Sequence, residues 1–202
     1  IPEDIRTKVI QQLLQAISDR NNHITSGIFG TPIVLTVLSD LNLNDIAYQM
    51  ATQTDFPGWG HMLSSGATTL WETWKYSDNV FSHNHPMFGS VGEWMYQSLA
   101  GIKALSPGFK QISIHPQASG DLQWVNSSYE SSRGKITCQW KKENGTYTLQ
   151  VHIPDKSSFI KESGESIASS FLIQIIREES DHCWIEIPSG TYLFSCPIPP
   201  KN

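Results

Sequence analysis

The chain has 202 residues, 39% of them hydrophobic and 16% charged, with a net charge of −5. That balance supports a buried core and excludes a disordered chain. No lysine or arginine cluster is present to neutralise phosphates, which argues against nucleic acid, and no apolar run nears the roughly 20 residues that span a bilayer.

Taken in order, the first half reads as helices. Pro2 suits a first helical turn. Ile5, Val9, Leu13 and Ile17 then recur at spacing four, with Ile10 and Leu14 widening the stripe. Asn21 and Asn22 end that helix, and "HITSGIFG" (His23 to Gly30) follows as a loop of small residues. Thr31 and Pro32 read as an N-cap and first-turn pair. The segment Ile33 to Leu38 is apolar nearly all round, so it is expected to be buried on most sides. Asn42 closes it. Asn44 is expected to cap a third helix carrying Ile46, Ala47, Met50 and Ala51. "TDFPGWGHMLSSG" (Thr54 to Gly66) is punctuated by Pro57, Gly58 and Gly60 and reads as a loop. A long helix is expected from Phe88, with Val91, Met95, Leu99, Ile102 and Leu105 on one stripe. Its early Gly89 and Gly92 weaken it locally. The opening IPEDIRTKV enters a helical pattern at once, with no signal peptide, as expected of a chain that begins inside a longer protein.

The period changes after "LSPGF" (Leu105 to Phe109). "KQISIHP" alternates as a strand, as do Ile136, Cys138 and Trp140. Asn144-Gly145 is a hairpin signal, and Tyr147, Leu149, Val151 and Ile153 alternate on the return strand. Phe171 to Ile176, Cys183 to Ile187 and Tyr192 to Phe194 complete at least six short strands, with Ser189-Gly190 as a turn. The expected organisation is therefore helical hairpins over 1–106 and an antiparallel β-sandwich over 107–202. Cys138, Cys183 and Cys196 are odd in number and lack CxxC spacing. Free buried thiols are expected rather than a disulfide or a zinc knuckle. The N-x-S/T triplets at Asn126 and Asn144 carry no weight without a sign of secretion.

His, Trp, Asp, Gly and Thr concentrate in the loops that join the helices, where chemistry on a helical scaffold usually sits. In "GATTLWETWKYSD" (Gly66 to Asp78), Glu72 lies between Trp71 and Trp74. Sugar rings stack their C–H faces on indole, and a carboxylate among indoles can activate a water. The same residues also fit a packed carboxylate that pairs with Lys75 or caps a helix. Trp59 and His61 leave two readings open as well: a loop tryptophan is a sugar platform or a plug between helices. His83 and His85 alternate as H-x-H, but no third ligand stands at metal-site spacing, so neither a metal nor another cofactor is expected. Asp55 and Glu93 are the remaining carboxylates near these loops, and Glu93 fits a first helical turn. No G-x-S-x-G elbow, G-x-G-x-x-G or P-loop is present.

"HITSGIFGTP", "PGWGHMLSSGATTLWETW" and "SHNHPMFGSVGEWMYQSLAGI", in that order, resemble the C-terminal stretch of bacterial α-L-rhamnosidases, glycoside hydrolase family 78. "ISIHPQ" and "SGTYLFS" resemble the opening and closing of the last β domain, so the likeness spans nearly the whole chain. The resemblance implies the last hairpins of an (α/α)6 barrel followed by a C-terminal β-sandwich. It implies hydrolysis of terminal α-L-rhamnosides with inversion. Glu72 matches the general base, and His85 matches a histidine that contacts the sugar; Trp59 and Trp71 are expected to bind substrate beside them. The loop between Glu72 and His85 is shorter than in some members. The general acid of the family lies on earlier hairpins, and no segment here matches it. An inverting hydrolase needs two carboxyl groups about 6.5–9.5 Å apart, so the expectation is a C-terminal portion carrying half of a site, inactive alone. The partners implied are a rhamnose-containing glycoside and an upstream barrel segment. Two other readings compete: an (α/α)6 glycosidase for another sugar, and a non-catalytic carbohydrate-binding or structural module. Localisation is not legible in these residues.

Overall fold

The computed structural model describes residues 2–77, 80–154, 158–163, 174–178 and 183–198. The chain divides into two compact units, Ile1–Trp94 and Met95–Asn202.

The first unit is helical. Helix α1 (Glu3–Ser18) starts after Pro2, which stands at its N-cap, and Glu3 and Asp4 set negative charge against the positive end of the helix dipole. Its stripe is only partly covered: Ile17 is buried, Val9, Ile10, Leu13 and Leu14 are half-buried, and Ile5 is exposed. Asn21 and Asn22 both take positive φ and end the helix, as their side chains permit more readily than most. Helix α2 (Gly30–Asp40) begins earlier than Thr31-Pro32 suggests. Thr31 does not cap it. Its hydroxyl donates back to the carbonyls of Gly27, at 2.9 Å, and Ser26, at 3.2 Å, inside the first turn. Nor is α2 buried on most sides: Leu35 and Leu38 are buried, but Ile33 is 64% exposed.

Helix α3 (Asn44–Thr52) follows, with Leu43 rather than Asn44 at its N-cap. Asn44 is buried instead, because its Oδ1 accepts from Ser39 Oγ at 2.8 Å and from Trp94 Nε1 at 2.9 Å. One carboxamide thus joins α2, α3 and helix α5 (Ser90–Trp94). The Pro/Gly loop contains a short helix, α4 (Trp59–Ser64). Gly60 is required there: a Cβ on it would lie 2.4 Å from the Gln53 carbonyl oxygen. Ahead of α5, Pro86–Gly89 forms a 3₁₀ turn. No helix among the described residues is long and apolar enough to cross a membrane.

The second unit opens on a π-helical turn, Met95–Leu99, closed by Ala100 N–H donating to the Met95 carbonyl at 2.9 Å. The helix expected to carry Ile102 and Leu105 stops here. Gly101 takes φ +73, and the chain turns into a strand, β1 (Ile102–Ala104). Leu105 is consequently exposed and Ile102 joins the sheet core.

Nine strands are described. The others are β2 (Gln111–Ile114), β3 (Trp124–Ser131), β4 (Gly134–Glu143), β5 (Thr146–Ile153), β6 (Ser158–Ser163), β7 (Gln174–Glu178), β8 (Cys183–Ile187) and β9 (Gly190–Pro197). They form two sheets, ordered β1-β2-β6-β8-β7 and β3-β4-β5-β9. Pairing is antiparallel except for β2 with β6, which run parallel. Ile102, Ile112, Ile114 and Ile187 from the first sheet share a core with Ile136, Cys138, Trp140, Leu149, Val151, Ile153 and Phe194 from the second, which makes the unit a sandwich. The Asn144-Gly145 turn has φ +50 and +72, the double positive φ of a tight hairpin.

The strand expected over Phe171 to Ile176 is β7 from Gln174 onward, and residues 171–173 lie outside the described ones. Cys138 is a buried free thiol and Cys196 a half-buried one, while the side chain of Cys183 lies outside the described residues.

Candidate active site

The segment carrying Glu72 is neither helix nor regular strand, yet its backbone is fixed from both sides. His85 N–H donates to the Leu70 carbonyl at 2.9 Å, and Glu72 N–H donates to the Ser82 carbonyl at 2.9 Å. The Thr69 hydroxyl donates to the His83 carbonyl. Residues 69–72 and 82–85 are therefore tied together.

Within this frame the Glu72 carboxylate has a defined job. Its Oε2 accepts from the Ser82 N–H at 2.9 Å, so the side chain is held by the segment opposite. Among the described residues it makes no ion pair with Lys75 and caps no helix, the two packing roles that the sequence leaves open. Its Oε1 has no partner among the described residues, and the residue is half-exposed.

His85 lies on the same frame. Its Nδ1 accepts from the Met87 N–H at 3.3 Å, capping the 3₁₀ turn Pro86–Gly89. An accepting Nδ1 requires the proton of a neutral imidazole to sit on Nε2. His85 therefore presents Nε2–H as a donor. His83 behaves differently, with its ring stacked on Tyr76 at 4.4 Å and its Nε2 buried without a partner. The two histidines of H-x-H thus serve separate ends. Among the described residues no group of three or more His, Cys, Asp and Glu could hold a metal ion.

The tryptophans are packed rather than open. Trp59 is 8% exposed, donates from Nε1 to the Phe88 carbonyl at 3.0 Å, and meets Trp74 edge-on at 5.0 Å. Trp74 stacks on Phe88 at 3.8 Å and donates to the Ser26 carbonyl at 2.8 Å. Of the two readings for Trp59, the structure has the plug. Trp71 is 3% exposed, with Tyr76, His83 and His61 around it at 5.2, 5.8 and 6.3 Å. Trp59, Trp74 and Phe88 form one aromatic cluster under the two ends of the Glu72–His85 frame.

Asp55 is taken by a histidine. His23 Nε2 lies 2.7 Å from Asp55 Oδ1, and its Nδ1 lies 3.0 Å from the Arg20 carbonyl. Both partners only accept, so the protonated ring, with a donor on each nitrogen, satisfies both contacts. The Asp55 hydrogen bond raises His23 above its usual 6.5 and holds Asp55 below 3.8. A carboxyl held ionised is a poor proton donor to a leaving group. The pair also sets a pH dependence. Asp55 contributes stability above 3.8, lost as pH falls through its lowered value; His23 contributes fully below 6.5, lost as pH rises through its raised value. Asp55→Asn is expected to lower the urea midpoint most between these two values, and to lose its effect in alkali. Denaturation curves at a series of pH values check this.

The groups that sequence reasoning missed are mostly backbone: the Ser82 N–H, and the Leu70, Ser26 and Phe88 carbonyls. No side-chain pattern marks a backbone donor in advance. Asn44 was legible as a polar residue at a helix start, but not as the buried link to Trp94.

Residues 1–99 match the bacterial alpha-L-rhamnosidase 6 hairpin glycosidase domain, and residues 101–160 match the bacterial alpha-L-rhamnosidase C-terminal domain. The chain belongs to the bacterial α-L-rhamnosidase family. An alpha-L-rhamnosidase of Formosa agariphila is 30% identical to it over 213 residues, covering 96% of this chain and 23% of that protein. The solved alpha-L-rhamnosidase of Dictyoglumus thermophilum matches with a TM-score of 0.87 at 29% identity, over 96% of this chain and 24% of its own. The Streptomyces avermitilis alpha-L-rhamnosidase complexed with L-rhamnose matches with a TM-score of 0.86 at 28% identity, over 97% and 20%. This rhamnosidase-family chain thus spans about a fifth to a quarter of the length of those relatives. The order expected from the resemblance, barrel hairpins followed by a C-terminal sandwich, is the order of the two family domains and of the two structural units.

Proposed function

We propose that the chain is the C-terminal part of an inverting α-L-rhamnosidase, with Glu72 as the base that deprotonates the attacking water. The observation that carries this is the division of labour within one carboxylate. Oε2 is fixed by Ser82 N–H, and Oε1 has no partner among the described residues. A general base needs that arrangement: one oxygen fixed so that the other stays aimed at a water. The general acid would come from the part of the enzyme that the relatives have beyond this stretch. The substrate would be a terminal α-L-rhamnoside, as the rhamnose complex of the Streptomyces avermitilis relative supports. The helical residues up to 99 would close the catalytic barrel, and the strands from Ile102 onward, rather than from 107, would supply the sandwich.

His85 would donate from Nε2 to a hydroxyl of the sugar. Trp59 and Trp71 would serve the substrate as a buried floor beneath the segment that carries Glu72, not as open stacking faces. The half-covered stripe of α1 and the exposed Phe29, Ile33 and Leu63 support further hairpins packing on this unit.

The full-length protein is expected to hydrolyse 4-nitrophenyl α-L-rhamnopyranoside, and proton NMR of the early product is expected to show the β anomer of rhamnose first. Release of the α anomer would contradict inversion. The 202-residue chain alone is expected to give no turnover. His85→Asn separates that residue's two jobs. Asparagine still caps a helical turn, so the fold is retained. Loss of the sugar contact is expected to raise KM by up to about tenfold, the scale of one hydrogen bond. Steady-state kinetics on the same substrate check it.

A further inference from the structure

The outward face of the four-stranded sheet carries groups that the active-site reading does not use. Register places Asn126, Gln139, Gln150 and Leu193 in one row across β3, β4, β5 and β9. The next row is Trp124, Lys141, Thr148 and Ser195. Their strand neighbours Cys138, Trp140, Leu149, Val151 and Phe194 form the core, so both rows point away from it. All residues of the two rows except Ser195 line a shallow groove of about 360 Å³.

Its chemistry is specific. Trp124 is 66% exposed and Leu193 72%, large apolar side chains that do nothing for the core. Asn126, Gln139 and Gln150 are exposed, and none makes a side-chain hydrogen bond to another described residue. Each carboxamide offers two donors and an acceptor. Lys141 is the one charged group lining the groove among the described residues, and it pairs with Glu143 at 2.6 Å. That pairing holds the Glu143 carboxyl below its usual value.

A phosphate polymer would need unpaired cations, which the groove lacks. An apolar partner would bury three carboxamides unsatisfied, at about 1–3 kcal/mol each. A peptide added as a strand needs a sheet edge, and this groove lies on the face. A neutral glycan meets every requirement. Its C–H faces fit an exposed indole, and its hydroxyls, each donor and acceptor, fit a row of carboxamides. The row across four strands is about 14 Å long, enough for a short run of sugar units. We infer that this face is a second carbohydrate-binding surface, taking a neutral oligosaccharide or polysaccharide with one ring on Trp124 and hydroxyls on Asn126, Gln139 and Gln150.

Affinity electrophoresis of the full-length protein tests this, in gels containing dextran, an α-linked rhamnan or polygalacturonate. Dextran separates this surface from the active site, because it carries no rhamnose. Retardation by dextran or rhamnan is expected, weakened about tenfold in W124A and similarly in the double variant Q139A/Q150A. Turnover of the aryl rhamnoside is expected to stay within about twofold in all of them, so a failure here is distinguishable from a failure of the active-site reading. Three results would overturn the inference. One is no retardation by either neutral glycan. Another is retardation that survives both variants, or occurs only with polygalacturonate. The third is self-association in sedimentation velocity that W124A abolishes, which would make this face an interface between two copies.

Discussion

Glu72→Gln in the full-length protein is expected to lower turnover of an aryl α-L-rhamnoside by about 10²–10⁴-fold, the range that a positioned general base contributes. The substitution isolates the chemistry. Glutamine keeps an acceptor oxygen for the Ser82 N–H, so the frame around residues 69–72 and 82–85 is preserved. It also puts an amide where a proton must be taken, and an amide cannot take it. Calorimetric titration with L-rhamnose is therefore expected to give an affinity within about twofold of wild type, since the change removes an interaction made only in the transition state. A second variant sharpens the assignment. In Glu72→Ala, azide is expected to restore part of the turnover, because it attacks the anomeric carbon without first losing a proton. The glycosidic C–O bond breaks as the C–N bond forms, and β-rhamnosyl azide is the product. Turnover near that of wild type in Glu72→Gln would remove Glu72 from the role of base.

Gly101→Ala is expected to destabilise the protein more than any surface change. A Cβ at Gly101 would lie 2.2 Å from the His115 carbonyl carbon and from the Pro116 nitrogen, and neither is the end of a flexible side chain. The residue also takes φ +73, which costs a non-glycine residue about 1–2 kcal/mol before any clash. Relief requires β1 to move away from the end of β2, although His115 N–H donates to the Gly101 carbonyl at 2.9 Å and Ile102 pairs with Ile114. Overpacking of this kind adds about 1–3 kcal/mol. Together these put the expected loss at about 2–5 kcal/mol, a large share of a typical domain's stability. Urea denaturation followed by tryptophan fluorescence measures it, and an unchanged midpoint would contradict the geometry.

The legible parts of the chain were those where one local pattern decides the outcome. The Asn144-Gly145 turn, the alternation through β4 and β5 and the change from helix to strand follow from residue type and period. The stop at Gly101 does not, because the apolar stripe runs on through Ile102 and Leu105. What ends the helix is a positive φ and the close approach of residues 115 and 116, a long-range fact. Strand β3 was missed for another reason. On an edge strand with one face in water, "WVNSSYES" has no fully buried residue, so its alternation is faint. Ile33 is a different case: its apolar side chain reads as core, it is 64% exposed in this stretch, and the further hairpins proposed to pack on this unit would cover it. In the site, residue types alone left Glu72 undecided between packing and chemistry. The order of motifs pointed to chemistry, and the missing Lys75 pair is a fact of geometry that no sequence pattern carries.

The bonds that tie 69–72 to 82–85 also separate two kinds of variation. The loop leaves and re-enters this frame at fixed points, and Trp74 is tethered below it by its stack on Phe88 and its bond to the Ser26 carbonyl. Residues inserted between Lys75 and Phe81 would lengthen the arc without moving its feet. Under the proposed function, the Glu72 carboxylate would keep its address while the rim beside it changes size, so loop length would be a dial for whatever lies beyond the sugar and not for the cleavage itself.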